Sequence, residues 1–217
     1  SGARTSVAGT GRRRPGEGPP SGGGCARLCE QFPPVTVRFA PSGDPVATFS
    51  SAQLTPTAFL ARSARVFPER TAVIDGERRS TYREFADRSR RLAGALAARG
   101  VAPGDRVAAL CTNSSTMLEM HHGVPWAGAV LVPLNTRLSA GELEYILRHS
   151  GAALLVADAP FAATAAEVAA AVGIPLVMAG EEYEQLLASA EPLALPCADE
   201  EGLLALNYTS GTTGRPK

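Results

Sequence analysis

Leu203-Leu204-Ala205-Leu206-Asn207-Tyr208-Thr209-Ser210-Gly211-Thr212-Thr213-Gly214-Arg215-Pro216-Lys217 is the stretch from which the rest of the chain is best read. The apolar run Leu203–Leu206 predicts a buried strand that feeds a loop rich in glycine and hydroxyls. Gly211 and Gly214 carry no Cβ, so the backbone there can turn tightly and bring N–H groups close to an anion. Thr209, Ser210, Thr212 and Thr213 add hydroxyls that can donate to phosphate oxygens or ligate magnesium. Lys217 supplies a mobile point charge. Of the 21 basic side chains it is the single lysine, so it was not drawn from a lysine-rich background.

The spacing is G-x-x-G-x-x-K, with no residue after the lysine, whereas a Walker A loop needs G-x-x-x-x-G-K-[ST]. A kinase or GTPase reading fails on that difference. Two readings of the residues stand side by side: a loop built for polyphosphate, and a solvated turn, since Ser, Thr, Gly and Pro also cluster in ordinary loops.

At 217 residues the chain has room for one large domain or two small ones. A hydrophobic fraction of 45% belongs to a globular protein. Acidic and basic side chains balance at 21 each, so no global positive field points to nucleic acid. Cys25, Cys29, Cys111 and Cys197 show no metal-ligand spacing, and unpaired thiols in a reducing cytoplasm are expected. Pro160–Gly180 is mostly alanine and is broken by Gly173 and Pro175, which argues against a membrane span. Arg12-Arg13-Arg14 is followed by proline and glycine rather than an apolar core, which argues against a secretory signal.

Residues 1–54 differ from the rest. They are rich in Gly, Pro and Arg, with Arg4, Arg12, Arg13, Arg14, Arg27 and Arg38 set against Glu17, Glu30 and Asp44. So little apolar surface cannot offset the entropy of ordering, and a disordered extension is expected there. The tail has no aromatic interleaving or amphipathic period. The first methionine is Met117, so the chain is expected to be incomplete at its start.

From Thr55 onward the pattern becomes regular. Thr55 and Pro56 open a short helix offering Phe59, Leu60, Ala64 and Phe67 to a core. Thr71–Asp75 and Arg78–Thr81 predict a hairpin turning at Asp75-Gly76. Thr81 with Glu84 forms a capping box for a helix that buries Phe85, Leu92 and Leu96 and stops at Gly100. The strand Arg106–Cys111, the helix Ser115–Ala127 and the strand Val130–Leu134 come next. Ser139 with Glu142 caps a helix that ends before Gly151. Ala153–Ala157, Ala162–Val172, Ile174–Met178 and Glu181–Leu187 then read as strand, helix, strand and helix, before a proline-containing connection over Ser189–Glu200. This alternation predicts an α/β fold with a mainly parallel sheet flanked by helices, and phosphate loops belong at the carboxyl ends of such strands.

Other candidates carry less. His121 and His122 are adjacent on a helix and point about 100° apart, so they read as structural rather than as a shared ligand pair. His149 sits in a last helical turn, where a cation complements the dipole. Trp126 reads as core or interface, and Glu181-Glu182 and Glu200-Glu201 as solvated. Asn113-Ser114-Ser115 could bind an anion or could simply cap a helix. No G-x-S-x-G elbow supports a hydrolase.

The string Tyr208–Lys217 resembles the phosphate-loop signature of adenylate-forming enzymes, the superfamily of acyl-CoA synthetases, luciferases and peptide-synthetase adenylation domains. The likeness extends over residues 55–217, through Phe67-Pro68-Glu69-Arg70-Thr71-Ala72-Val73, Tyr82-Arg83-Glu84-Phe85 and Gly100–Val107. His122–Val130 and Pro133–Leu138 look most like fatty-acyl and short- or medium-chain acyl-CoA ligases. The resemblance implies an N-terminal fragment of the large adenylate-forming domain. It also implies ATP, Mg²⁺ and coenzyme A as reactants with a small carboxylic acid, through an acyl adenylate and then a thioester. Thr209, Ser210, Gly211, Thr212, Thr213, Gly214 and Lys217 are then expected to cradle the β- and γ-phosphates, with Thr212 on the magnesium side. The family's later segments, including its hinged C-terminal domain and catalytic lysine, have no counterpart up to Lys217. The 217 residues alone are therefore expected to be inactive. Two other outcomes are carried forward: an adenylation domain loading a carrier protein, and a non-catalytic nucleotide-binding fragment.

Overall fold

The computed structural model describes residues 35–36, 50–51 and 54–209. The chain divides between Ala52 and Gln53 into two units. In the first, β1 (Val35–Thr36) pairs antiparallel with β2 (Ser50–Ser51). The disorder expected over residues 1–54 otherwise falls outside the described residues.

The second unit begins with α1 (Pro56–Val66), whose first turn is capped by the Thr55 hydroxyl accepting from the Ala58 N–H at 3.1 Å. Leu60 is buried and Ala61 and Ala64 pack against the core, but Phe59 is 59% exposed and Phe67 45% exposed. The expectation that both phenylalanines reach the core is therefore wrong. The inward stripe is Thr57, Leu60, Ala61 and Ala64, spaced i, i+3, i+4, i+7. Phe59 falls beside that stripe, and Phe67 lies just past the helix end.

The hairpin β3 (Thr71–Asp75) and β4 (Arg78–Thr81) pairs as expected. It leads into α2 (Tyr82–Ala98), opened by a complete Thr81/Glu84 capping box and burying Phe85, Leu92 and Leu96. Then come β5 (Arg106–Leu110), α3 (Ser115–Trp126), β6 (Val130–Pro133), α4 (Ala140–Ser150) and β7 (Ala152–Ala157). A 3₁₀ turn at Ala159–Phe161, α5 (Ala162–Val172), β8 (Leu176–Met178) and α6 (Glu181–Ala188) complete the regular elements. Strand β8 starts later than expected because Ile174 is still tied to the end of α5, its N–H donating to the Ala169 carbonyl at 3.0 Å.

Strands β5 to β8 form one parallel sheet in the order β6-β5-β7-β8. Side chains alternate between two cores, as a pleated strand requires. Val107, Ala109, Leu131, Leu154 and Val156 face the core that also holds residues of α2, α3 and α6. Ala108, Leu110, Val132, Leu155 and Ala157 face the core of α4 and α5. The α/β arrangement with helices on both faces of a parallel sheet is thus the observed one.

Two glycines permit close approach. A Cβ on Gly123 in α3 would lie 2.8 Å from the Ser89 carbonyl and 2.7 Å from Leu92 Cδ2 on α2. One on Gly94 would lie 1.9 Å from the Glu191 carbonyl oxygen. The connection after α6 therefore lies directly on the surface of α2, pinned by Leu193 N–H to Arg90 O at 2.9 Å and Leu195 N–H to Trp126 O at 2.8 Å.

Leu203–Leu206 is not the buried strand expected. Only Ala205 bridges to the sheet, in parallel with Leu131. The Leu131 N–H donates to Leu204 O at 3.1 Å, and the Leu206 N–H donates to Leu131 O at 2.8 Å. Leu203 is 70% exposed and Leu204 39% exposed, whereas Ala205 and Leu206 pack against opposite cores. The segment lies outside β6, and no described residue pairs with its far side, so burial reaches only the two residues beside the sheet.

Candidate functional site

In a parallel sheet the carboxyl ends of all strands lie on one edge, where ligands of α/β proteins collect. Here that edge is formed by the residues after Leu110, Pro133 and Ala157. Two of the exits are tied together. Asp158 is buried, and its Oδ2 accepts from the Thr112 N–H at 2.7 Å and the Thr112 hydroxyl at 2.6 Å. The Asp158 N–H donates back to Leu110 O at 3.1 Å. β5 and β7 are therefore locked past their last paired residues.

Because Ala205 is parallel to Leu131, the chain at Leu206–Thr209 heads toward this same edge. The Tyr208 ring packs against the α4/α5 core, and its hydroxyl lies 2.7 Å from Nδ1 of His149. Tyr145 stacks on the other side of that imidazole, with ring centroids 5.5 Å apart. Thr209, exposed, is the first of the predicted phosphate-loop residues and stands at this edge. Ser210, Gly211, Thr212, Thr213, Gly214 and Lys217 lie outside the described residues, and with them the magnesium-side assignment of Thr212. What the structure places is the departure of the loop.

The competing anion site at Asn113-Ser114-Ser115 is used by the chain itself. Ser114 caps α3, its hydroxyl accepting from the Met117 N–H at 3.4 Å. The next free N–H, that of Ser115, donates to Asp75 Oδ2 at 2.8 Å. That bond from the Ser115 backbone, then one from its side chain, holds the Asp75 carboxyl below its ordinary range. A cleft of about 240 Å³ between β3 and α3 runs past these residues to His121.

His121 and His122 diverge, as adjacent helical residues must. His121 is exposed. His122 is half-buried, its Nδ1 3.1 Å from Leu118 O and its ring 5.1 Å from that of Phe85. Trp126 is buried beneath the Arg90 guanidinium, 5.1 Å from its ring centroid. Among the described residues no group of three His, Cys, Asp or Glu side chains is arranged to hold a metal ion. No described helix is long and apolar enough to cross a membrane.

A buried ionic network is the feature that sequence reasoning missed. Glu119, only 2% exposed, accepts from Arg88 at two points and from the Tyr183 hydroxyl at 2.9 Å. Arg88 also donates twice to Glu184, at 2.7 and 2.8 Å. These contacts join α2, α3 and α6 on the face of the sheet away from α4. A carboxylate among Met117, Leu118 and Met120 was the available signal, because a charge in an apolar helix needs a buried partner.

Residues 60–217 match the AMP-binding enzyme family. The chain is 35% identical over 192 residues to 4-hydroxybutyrate–CoA ligase 2 of Metallosphaera sedula, a match covering 80% of this chain and 35% of that protein. It is 46% identical over 156 residues to a feruloyl-CoA synthase of an Amycolatopsis species, covering 72% and 31%. Its structure is similar to that of o-succinylbenzoate coenzyme A synthetase from Bacillus subtilis in complex with ATP and magnesium ion. That comparison has a TM-score of 0.63 and 30% identity, covering 73% of this chain and 41% of that one. The chain thus spans about a third of the length of the curated relatives it matches.

Proposed function

The chain belongs to the AMP-binding enzyme family, and on that footing we propose that it is the N-terminal part of an ATP-dependent acid–coenzyme A ligase. The observation that carries this reading is the parallel bridge between Ala205 and Leu131, which sends the Tyr208–Lys217 sequence toward the carboxyl edge of the sheet. The matched relatives support it, since both are named for making thioesters with coenzyme A.

In the proposed reaction a carboxylate oxygen attacks the α-phosphorus of ATP. The bond to the β-phosphate oxygen breaks, and pyrophosphate leaves with its electrons. The thiol sulfur of coenzyme A then attacks the acyl carbon, its proton is lost, and AMP departs. This chain's task lies in the first step, where negative charge grows on the leaving pyrophosphate. Backbone N–H groups at Gly211 and Gly214, the hydroxyls of Thr209, Ser210, Thr212 and Thr213, and the Lys217 ammonium stabilise that charge. A magnesium ion held on the Thr212 side would neutralise the same oxygens. The hard oxygen donors present in the loop suit that ion.

Coenzyme A is preferred over a carrier protein as acceptor because the matched relatives are coenzyme A ligases. A cytoplasmic setting suits the two free cysteines among the described residues. The 217 residues alone should not turn over, since they span about a third of the relatives' length.

The test is equilibrium binding of Mg·ATP to the chain and to Lys217→Ala. Binding that weakens at least about tenfold on removing the ammonium supports the reading, in line with the 1.5–3 kcal/mol of a charged hydrogen bond. Equal affinity for both overturns it. Thioester formation by residues 1–217 from ATP, coenzyme A and a carboxylic acid would overturn the expected inactivity.

A further inference from the structure

We propose that His149 is a positioning residue for the phosphate loop, acting through the hydroxyl of Tyr208; this rests on the nucleotide-binding reading above. Between the sheet and Thr209 the chain has two anchors. The first is the Leu206 N–H, which donates to Leu131 O at 2.8 Å. The second is the contact of 2.7 Å between Tyr208 and His149. Leu206 and Tyr208 are two apart, so in extended chain they share a face, and both pack against the same core. The residue after the second anchor is the first of the loop. Whatever fixes Tyr208 therefore fixes where Thr209 begins.

The platform is rigid. Helix α4 is closed at its start by the Ser139/Glu142 capping box. At its end Arg106 donates from Nε to Ser150 O at 2.6 Å and from Nη2 to Gly151 O at 2.8 Å. His149 lies between those ends and is braced by Tyr145, whose ring is inclined only 25° to the imidazole. Tyr208 meets the imidazole edge-on, at 85° with centroids 5.7 Å apart. A phenol both donates and accepts, so it can donate to Nδ1 of a neutral imidazole and accept from a charged one. The link holds in either charge state. A last-turn histidine complementing the helix dipole would need none of this geometry, so the role found for His149 exceeds the one its position suggested.

Small displacements matter here because a phosphate site depends on N–H groups aimed at fixed oxygen positions, and a shift of about 1 Å is enough to spoil that aim. Three variants of the full chain test the idea. Tyr208→Phe removes only the hydroxyl. His149→Leu removes the polar partner. His149→Asn returns an amide group near the position of Nδ1. Mg·ATP binding should weaken roughly three- to tenfold in the first two, the range expected from one lost hydrogen bond. It should recover in His149→Asn, while thermal midpoints stay close to that of the wild type. Hydrogen exchange of the Thr209 amide, measured without nucleotide, should speed up in the first two variants and return in the third.

Wild-type binding that is sensitive to Lys217→Ala but indifferent to all three variants overturns the positioning role and leaves the nucleotide reading intact. Unchanged Thr209 exchange overturns the positioning role whatever the nucleotide does. Loss of affinity in His149→Asn equal to that in His149→Leu also counts against it, since the hydrogen bond would then not be the cause.

Discussion

Arg88 grips Glu119 at two points, with Nε 2.6 Å from Oε1 and Nη2 3.2 Å from Oε2, in a setting that leaves the carboxylate almost without solvent. Burial opposes the charge on Arg88, but hydrogen bonds to Glu184 and Glu119 outweigh it and hold the guanidinium firmly protonated. The Tyr183 hydroxyl completes the shell of Glu119. Burial, and then the nearby negative charge, push that phenol well above its ordinary range, so it remains a donor.

Removing one partner from such a pair strands the other. Arg88→Met should cost about 3–5 kcal/mol, because the Glu119 carboxylate stays buried without its cation. The double variant Arg88→Met/Glu119→Leu should recover part of that loss, since apolar side chains of similar size can replace a buried ion pair at little cost. Urea unfolding of the two single variants and the double gives the coupling energy. Strict additivity would show that the pair does not act as a unit.

His122 yields a pH prediction with a definite sign. Burial against Phe85 and Trp126 lowers its pKa below the ordinary value, and the Leu118 carbonyl only partly opposes that. The unfolded chain therefore binds a proton more readily than the folded one. Stability is complete above the unfolded pKa of about 6.5 and declines as pH falls below it toward the lowered folded value. His122→Phe should flatten the slope of unfolding free energy against pH between about pH 6.5 and 5. A slope as steep in the variant as in the wild type would assign the effect to another group, with His121 next in line because burial lowers it too.

Gly123 and Gly94 should resist even a methyl group. At Gly123 the new Cβ meets the Ser89 carbonyl on α2 at 2.8 Å, so α2 and α3 must separate. Overpacking of this kind costs about 1–3 kcal/mol. At Gly94 the obstacle is the backbone oxygen of Glu191 at 1.9 Å, which cannot swing aside as a side chain can. Gly94→Ala should therefore detach the connection after α6. Amide exchange would rise at Leu193 and Leu195, whose N–H groups bond to Arg90 and Trp126. Protection that is unchanged at those two amides would contradict the predicted detachment.

What could be read from the residues was mostly local. The Thr81/Glu84 and Ser139/Glu142 capping boxes each close within one helical turn, and both formed as expected. Helix α5 matched its expected limits because alanine-rich sequence between a proline and Gly173 offers no competing structure. The parallel sheet followed from the length of the connections, which is a topological constraint more than a propensity. What stayed hidden was long-range. Arg88 and Glu119 are 31 residues apart, Glu119 and Tyr183 are 64 apart, and His149 and Tyr208 are 59 apart. Periodicity also could not say that Phe59 would fall beside the buried stripe, or that Leu203 would lie outside the sheet. An apolar side chain signals a wish for burial, but the neighbour that grants it is chosen by packing. The chemistry of the site was legible only as a motif, and the structure adds the edge at which that motif begins.

Cys111 offers a last test, of the locked carboxyl edge itself. It directly follows β5, with its thiol 3.8 Å from Val156 O. Burial pushes the thiol far above its ordinary pKa, and the charge of Asp158 pushes it the same way. The thiolate is the reactive form, so Cys111 should resist a disulfide reagent at pH 8 in the native state while the half-exposed Cys197 reacts. Asp158→Ala removes the acceptor of both Thr112 bonds, which should cost about 2–3 kcal/mol for hydrogen bonds to a charged group. It also removes the charge, so both effects favour modification at Cys111. Peptide mapping of the labelled protein should show Cys111 protected in the wild type and modified in Asp158→Ala, at a rate that rises with the frequency of local opening. If Cys111 in the wild type were labelled as fast as Cys197, the join between β5 and β7 would be far looser than the Thr112–Asp158 distances imply.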